Sequence, residues 1–416
     1  MKVLLLTLFP AALCPAQGPL TPPGAPAPTQ KSLQEIWNKI GVLETQLSQA
    51  QSDLTRLKAD NRLLTGLLAT SAIPFAWNIT TVDGLGTDVG EHASLAFGPD
   101  GQPAIAYYDA TNDDLKFARS NGSAWVITTV DSAGDVGTFA SLAFDGAGQP
   151  AISYRDETND DLKLARFSGG IWTPTTLDFA GDVGKHTSLA FAPDGLPSIS
   201  YHDDTNDNLK YARFTGFIWS FVTIAPMGVQ GADTSLKFGP DGQPAIAFID
   251  SAVDIPKIAR YTPTTLWTID NVDVVVGAEE SCSLAFGPDG HPAVAFGVQN
   301  GFKVARFNGA GWGTPVQVYT GTGIFGPILT DALSIQFGPN GQPAVAYSMS
   351  SSTDLGFALF DGSTWALSTV ARTGANVQSH ALAFGPDGQP AIAYYEGNAN
   401  NDDLKFARKG PFPPAP

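Results

Sequence analysis

SLAFGPDGQPAIAYYDATNDDLKFAR, residues 94–119, is the stretch from which the rest of the chain can be read. Its opening serine returns at Ser141, Ser188, Ser235, Ser283 and Ser334, and Ala381 holds the same place in a seventh copy. The first three steps are 47 residues each. A period of this length marks propellers, solenoids or arrays, whose units bury their apolar faces only against their neighbours.

Four short strand-like runs make up one copy. In the first they are Ser94–Phe97, Ala104–Tyr108, Leu115–Arg119 and Trp125–Val130. The first two are joined by Gly98-Pro99-Asp100-Gly101, in which proline sets the turn entry and glycine supplies a positive φ. A second proline (Pro103, Pro150, Pro197, Pro244, Pro292, Pro343, Pro390) opens the second strand, one of the few strand positions that tolerates it. Ala104 and Ala106 point one way, Ile105 and Tyr107 the other. Such a sheet stacks its bulky face on the small face of the next. Four strands per copy, seven times, predict an all-β, seven-bladed β-propeller over residues 77–408.

Counting strands sharpens this. The last copy, Ala381–Arg408, has three strands and no fourth. WNITTVD at 77–83 matches WVITTVD at 125–131, so Trp77–Val82 is expected to be the outer strand of the seventh blade and to close the ring. One tryptophan opens each fourth strand: Trp77, Trp125, Trp172, Trp219, Trp267, Trp312 and Trp365. Repetition in every copy is what packing between blades demands; sugar stacking is the other reading.

The segments before the repeats are of other kinds. Residues 1–16 have the basic start, apolar run and small-residue end of a secretory signal peptide, which predicts a secreted or cell-surface protein. Residues 17–29 are a Pro-rich linker, and residues 409–416 a Pro-rich tail. Over residues 30–70, Leu33, Ile36, Ile40, Leu43, Leu47, Ala50, Leu54, Leu57, Leu64 and Leu68 recur in steps of three and four, interrupted at Asn61. This heptad pattern predicts a helical coiled-coil stalk over 33–68 and a parallel homodimer or homotrimer. Lys39 with Glu44 and Asp53 with Lys58 supply complementary charges for that register. A single amphipathic helix packed on the propeller is the alternative. No other segment has the apolar length of a membrane span.

The net charge of −17 lies in the repeats, because the first 76 residues sum to +2 and the remainder to −19. That excludes nucleic acid and anionic membranes as ligands and leaves metal ions, neutral sugars or a basic partner. Cys14 falls in the leader, so Cys282 has no partner for an internal disulfide.

The loops between the second and third strands and those between blades emerge together on one face. They carry Asp109 and Asp113, Asp156 and Asp160, Asp203 and Asp207, and Asp402. A D-V-G motif before the first three copies adds Asp88, Asp135 and Asp182, with His92 and His186 four residues on. Blades seven, one, two and three are neighbours, so these residues form an acidic arc and are the candidate ligand-binding set. Two readings stand: Asx-type turns, or binding of a polyol or of a cation, for which Ca²⁺ is the candidate. No loop has the EF-hand spacing, and no G-x-S-x-G, H-E-x-x-H or phosphate-binding glycine loop occurs, so no catalytic residue is assigned.

PAIAYYD, DLKFAR and DGSTW resemble phrases of secreted bacterial β-propeller repeat proteins, a group that includes lectin-like and sialidase-like propellers. The resemblance covers about residues 77–408. Phe360–Trp365 looks like the tail of a sialidase Asp-box, which is incomplete here. The sialidase relation also implies three arginines on the ligand face, where only Arg155 and Arg372 are candidates. The expectation is therefore an oligomeric binding protein for carbohydrate or protein, with a sialidase-like glycoside hydrolase and a structural or adhesion component as alternatives.

Overall fold

The structure is a computed structural model. It describes residues 37–41, 43–49, 76–84, 87–225, 231–275, 277–299, 301–320, 333–349, 354–372, 376–398 and 401–410. The chain divides into two units, Met1–Ala72 and Ile73–Pro416. In the first, residues 37–41 and 43–49 are helical, far short of the stalk expected over 33–68. Ile40, Leu43 and Leu47 on this helix are exposed. The rest of the stalk, the signal peptide, the linker and residues 411–416 of the tail lie outside the described residues. No described helix is long and apolar enough to cross a membrane.

The second unit is a β-propeller of seven four-stranded antiparallel sheets. Blade one comprises Val89–Phe97, Pro103–Asp109, Asp114–Ser120 and Trp125–Asp131, from the channel outward. Ile105 and Tyr107 pack on Ala391, Ala393 and Phe406 of blade seven. On the other side of the sheet, Ala104 and Ala106 receive Ile152 and Tyr154 of blade two. The alternation read from the strand thus places one bulky and one small face at every junction.

Trp77–Asp83 pairs with Asn401–Lys409, Trp77 opposite Lys409 and Thr80 opposite Phe406. The seventh blade is completed from the N-terminal side of the repeats, as the strand count requires. Trp77 packs edge-on against Phe357 of blade six at 5.3 Å, and Trp125 against Phe406 of blade seven at 5.2 Å. Trp172 and Trp267 make the same contact with Phe117 and Tyr211. The tryptophans therefore join blades. Trp312 also packs on a cluster shared by blades four and five, but it does not open its blade's fourth strand. It stands in an isolated bridge with Phe307, and the fourth strand of its blade begins only at Val316, after Pro315, whose missing N–H cannot join the ladder.

A second device ties the blades near the channel. The Ser94 hydroxyl accepts a hydrogen bond from the Leu142 N–H of the next blade at 3.0 Å. Ser141, Ser188, Ser235, Ser283 and Ser334 repeat it at 2.9–3.1 Å. Ala381 has no hydroxyl, so the junction between blades seven and one lacks this link. It is the junction that the Trp77–Asp83 strand crosses to close.

The innermost strands begin earlier than the sequence indicated. They run through the D-V-G motif and are interrupted by bulges at His92, Phe139 and His186, all with φ near +50°. The motif's glycine has a packing reason. A Cβ on Gly137 would lie 2.8 Å from the Leu115 backbone of the preceding blade.

Candidate functional site

The loop face is built on a repeated carboxylate frame. Asp109, Asp156 and Asp203 end the second strands of blades one to three and are buried. Asp109 accepts hydrogen bonds from the N–H groups of Thr111 and Asn112 and the Asn112 amide, at 2.9–3.1 Å, and pairs with Lys116. Asp156 with Asn159 and Asp203 with Asn206 repeat this arrangement. These three aspartates are turn-builders. Burial alone would raise Asp109, but Lys116 and Asn112 outweigh it and hold its carboxyl below the ordinary range.

Asp113, Asp160 and Asp207 follow in left-handed conformations, φ +58°, +59° and +50°, which aspartate tolerates better than most residues. Asp88, Asp135 and Asp182 lead into the inner strands. Their N–H groups donate to Thr111, Thr158 and Thr205 of the same blade, at 2.7–2.8 Å. Asp402 lies in a bridge beside Asp88. Burial, together with Asp402 and Asp109, raises Asp88, against the hydrogen bond it receives from Tyr395.

One position varies within this constant frame: Tyr395, Tyr108, Arg155 and His202 in blades seven, one, two and three. The Tyr395 hydroxyl donates to Asp88 at 3.1 Å, and that of Tyr108 to Asp113 and Asp135 at 3.0 and 2.8 Å. Arg155, only 2% exposed, reaches Glu157 at 2.8 Å, Asp182 at 2.6 Å, and Asp160. Three carboxylates surround its guanidinium and burial closes it off from solvent, so it does not present itself to a sugar acid.

His92 and His186 stand apart from these carboxylates. Their rings lie 4.6 Å on either side of Phe139, at the inner bulges, and His186 lines a channel cavity of about 150 Å³ with Thr187, Ser235 and Cys282. The structure thus brings most of the acidic set together and moves both histidines to the channel. Burial raises the Cys282 thiol well above its usual range.

On the side of the 1–2 and 3–4 turns, aspartates clamp the repeated arginines. Arg119 pairs with Asp100 at 2.8 Å, Arg213 with Asp194 at 2.6 Å, Arg306 with Asp289 at 2.7 Å and Arg408 with Asp387 at 2.6 Å. Blade two departs, because Ala147 stands where blades one, three, four, five and seven have aspartate and blade six has Asn340. Arg166 is consequently exposed and makes no ion pair or hydrogen bond among the described residues.

It lines a groove of about 400 Å³ between blades two and three, with Gln149, Ser168, Thr173, Thr175 and Trp219. The next junction repeats the groove at about 350 Å³, with Arg213, Thr215, Ser220 and Trp267 in equivalent positions. Trp219 is half-buried, so its ring both packs on Phe214 at 5.5 Å and faces the groove. The sequence signal for this site was the replacement of aspartate by Ala147, in a turn that reads Asp145-Gly146-Ala147-Gly148 in place of the common Gly-Pro-Asp-Gly.

No family model matches the chain, and no curated protein matches its sequence. Solved propellers resemble it in shape. A protein of unknown function from Dyadobacter fermentans shares 10% identity over 81% of this chain and 99% of its own, with a TM-score of 0.49. A lectin of Aleuria aurantia, in complex with Fucα1-6GlcNAc, shares 13% identity over 69% and 98% at 0.46. A leech intramolecular trans-sialidase shares 14% identity over 82% and 71% at 0.46. These neighbours thus include a lectin and a trans-sialidase.

Proposed function

We propose that the protein is a secreted or cell-surface carbohydrate-binding module that gains avidity by oligomerising. The observation that carries this reading is the groove between blades two and three. A half-buried indole, an unpaired guanidinium and a row of hydroxyl and amide side chains line one concave surface. An aromatic face stacks on the C–H face of a sugar, while hydroxyls and a guanidinium bond its oxygens. The adjoining groove has the same plan with its arginine already paired to Asp194, which makes it a weaker second site.

Modest single-site affinity becomes useful when sites are multiplied. Exposed Ile40, Leu43 and Leu47 fall on the a and d positions of the heptad reading and support a parallel coiled coil as the multiplying device. Arg155 gives no support to sialidase-type chemistry, since its guanidinium is already bound on three sides.

A glycan array tests the proposal on the full chain and on a chain lacking residues 30–70. Signal in the full chain that weakens in the shortened one is the expected result. Absence of signal in both removes the carbohydrate reading.

A further inference from the structure

We propose that His202, Asp204 and Asp207 form a binding site for a first-row divalent transition ion of the Zn²⁺ class on the loop face of blade three. One ligand atom from each of the three lies within 4.8 Å of the other two. Metal–ligand bonds of about 2.0–2.2 Å set tetrahedral ligand atoms about 3.4 Å apart, so a pair at that limit has about 1.4 Å to close, which side-chain rotation of the exposed Asp204 and Asp207 can supply.

The second observation is the imidazole itself. His202 is 6% exposed, and its Nε2 is buried with no hydrogen-bond partner among the described residues. Its Nδ1 faces Asp204 at 3.8 Å, too far for a hydrogen bond and well placed for two ligands sharing an ion. Nδ1, the nitrogen that faces Asp204, makes no hydrogen bond to it at this distance, and an ion between the two would give both a partner.

The neighbouring blades show what such an ion replaces. At the same position Arg155 brings its own positive charge to Glu157, Asp160 and Asp182, and Tyr108 brings a hydroxyl to Asp113 and Asp135. His202 brings neither a guanidinium nor a hydroxyl to the carboxylates beside it, only an imidazole, a side chain that ligates metals.

Local charge favours a cation as well. Glu157, Asp160, Asp182, Asp204 and Asp207 are five carboxylates against the two cations Arg155 and Lys185. Lys185 pairs with Asp204 Oδ2 at 2.8 Å and with Asp182 at 3.3 Å, leaving Asp204 Oδ1 toward His202. One imidazole with carboxylates selects a transition ion over Ca²⁺, which takes oxygen ligands alone. The remaining coordination positions open to solvent through Asp204 and Asp207, both exposed.

The test is calorimetric titration of Zn²⁺ into untagged, chelator-stripped full-length protein at pH 7.5, with Co²⁺ absorption as a second readout. One ion per chain is expected, weakened at least tenfold by His202→Asn and by Asp207→Asn and unaffected by His291→Asn. Asp207 is exposed, so its variant tests the site without disturbing the core. His202→Arg is expected to abolish binding while keeping the metal-free melting temperature at least equal to wild type, as Arg155 does for blade two. No binding by wild type, binding undiminished in both His202→Asn and Asp207→Asn, or uptake of Ca²⁺ that His202→Asn leaves intact would each overturn the proposal.

Discussion

The two faces of the ring treat the same repeat differently. On the turn side, four blades carry an arginine clamped by an aspartate, and all four of those arginines also stack on an aromatic ring of the next blade, Arg119 on Phe144, Arg213 on Phe238, Arg306 on Phe337 and Arg408 on Phe97. On the loop side the aspartate frame is constant through blades one to three, but the group it surrounds changes from tyrosine to arginine to histidine. A position that must do one packing task in every blade repeats. A position whose task is to satisfy neighbouring carboxylates can be filled by any donor, and there the copies diverge. In blade two, where Ala147 replaces the clamping aspartate, the arginine is left to line a groove.

The comparison can be broken at several points. Removing residues 77–83 leaves Asn401–Lys409 as a bare edge and empties the place of Trp77. Denaturant unfolding is expected to show a loss well beyond the about 3–5 kcal/mol of truncating one large buried side chain. Unchanged stability would mean that closure does not depend on this strand. On the loop side, Arg155→Gln strands Glu157, Asp160 and Asp182 around a neutral group, and urea titration is expected to show a loss of about 3 kcal/mol. The corresponding change on the turn side, Arg119→Gln, removes a partly exposed pair and is expected to cost under about 1 kcal/mol. Equal costs would erase the distinction between the faces.

Smaller effects sharpen it. Ser141→Ala removes one link between blades and is expected to cost about 1 kcal/mol, whereas Ala381→Ser adds the hydroxyl that the closing junction lacks and is expected to add a similar or smaller amount. Acid titration of stability separates two sets of carboxylates. Burial would raise Asp131 and Asp178, but Lys163 with Tyr154 and Lys210 with Tyr201 hold them low. Their contribution is complete above the unfolded aspartate pKa of about 3.9 and is lost as pH falls below it toward their folded values. Asp114 and Asp161 are raised, by burial first and then by Asp109 and Asp156. Their protonation favours the folded state, so stability is expected to rise slightly from neutrality toward the ordinary carboxylate range before it falls. A monotonic decline from pH 7 would contradict these opposed shifts.

The blades, their number and their closure were legible because they depend on local alternation and on counting. Trp77 could be assigned to the seventh blade from WNITTVD alone. The Asx-type turns at Asp109, Asp156 and Asp203 were legible too, as one of two readings, because Asp-to-Asn spacing is local. The channel position of His92 and His186 was not, since a residue at positive φ in a bulge reverses the side on which its neighbours fall. Nor were the contacts of Tyr108 and Arg155 visible, because their partners Asp135 and Asp182 stand 27 residues on, in the next blade. The groove at Arg166 needed three segments at once: the missing aspartate at Ala147, the arginine of the same blade and the tryptophan of the next.

The carbohydrate reading rests on that groove, and its most direct test is a solution titration of the strongest array glycan against wild type, Arg166→Ala and Trp219→Phe. Arg166 makes no internal ion pair, so its variant should melt as wild type does. The account predicts that Arg166→Ala abolishes most of the binding at unchanged melting temperature and that Trp219→Phe weakens it; full affinity in both variants would contradict it.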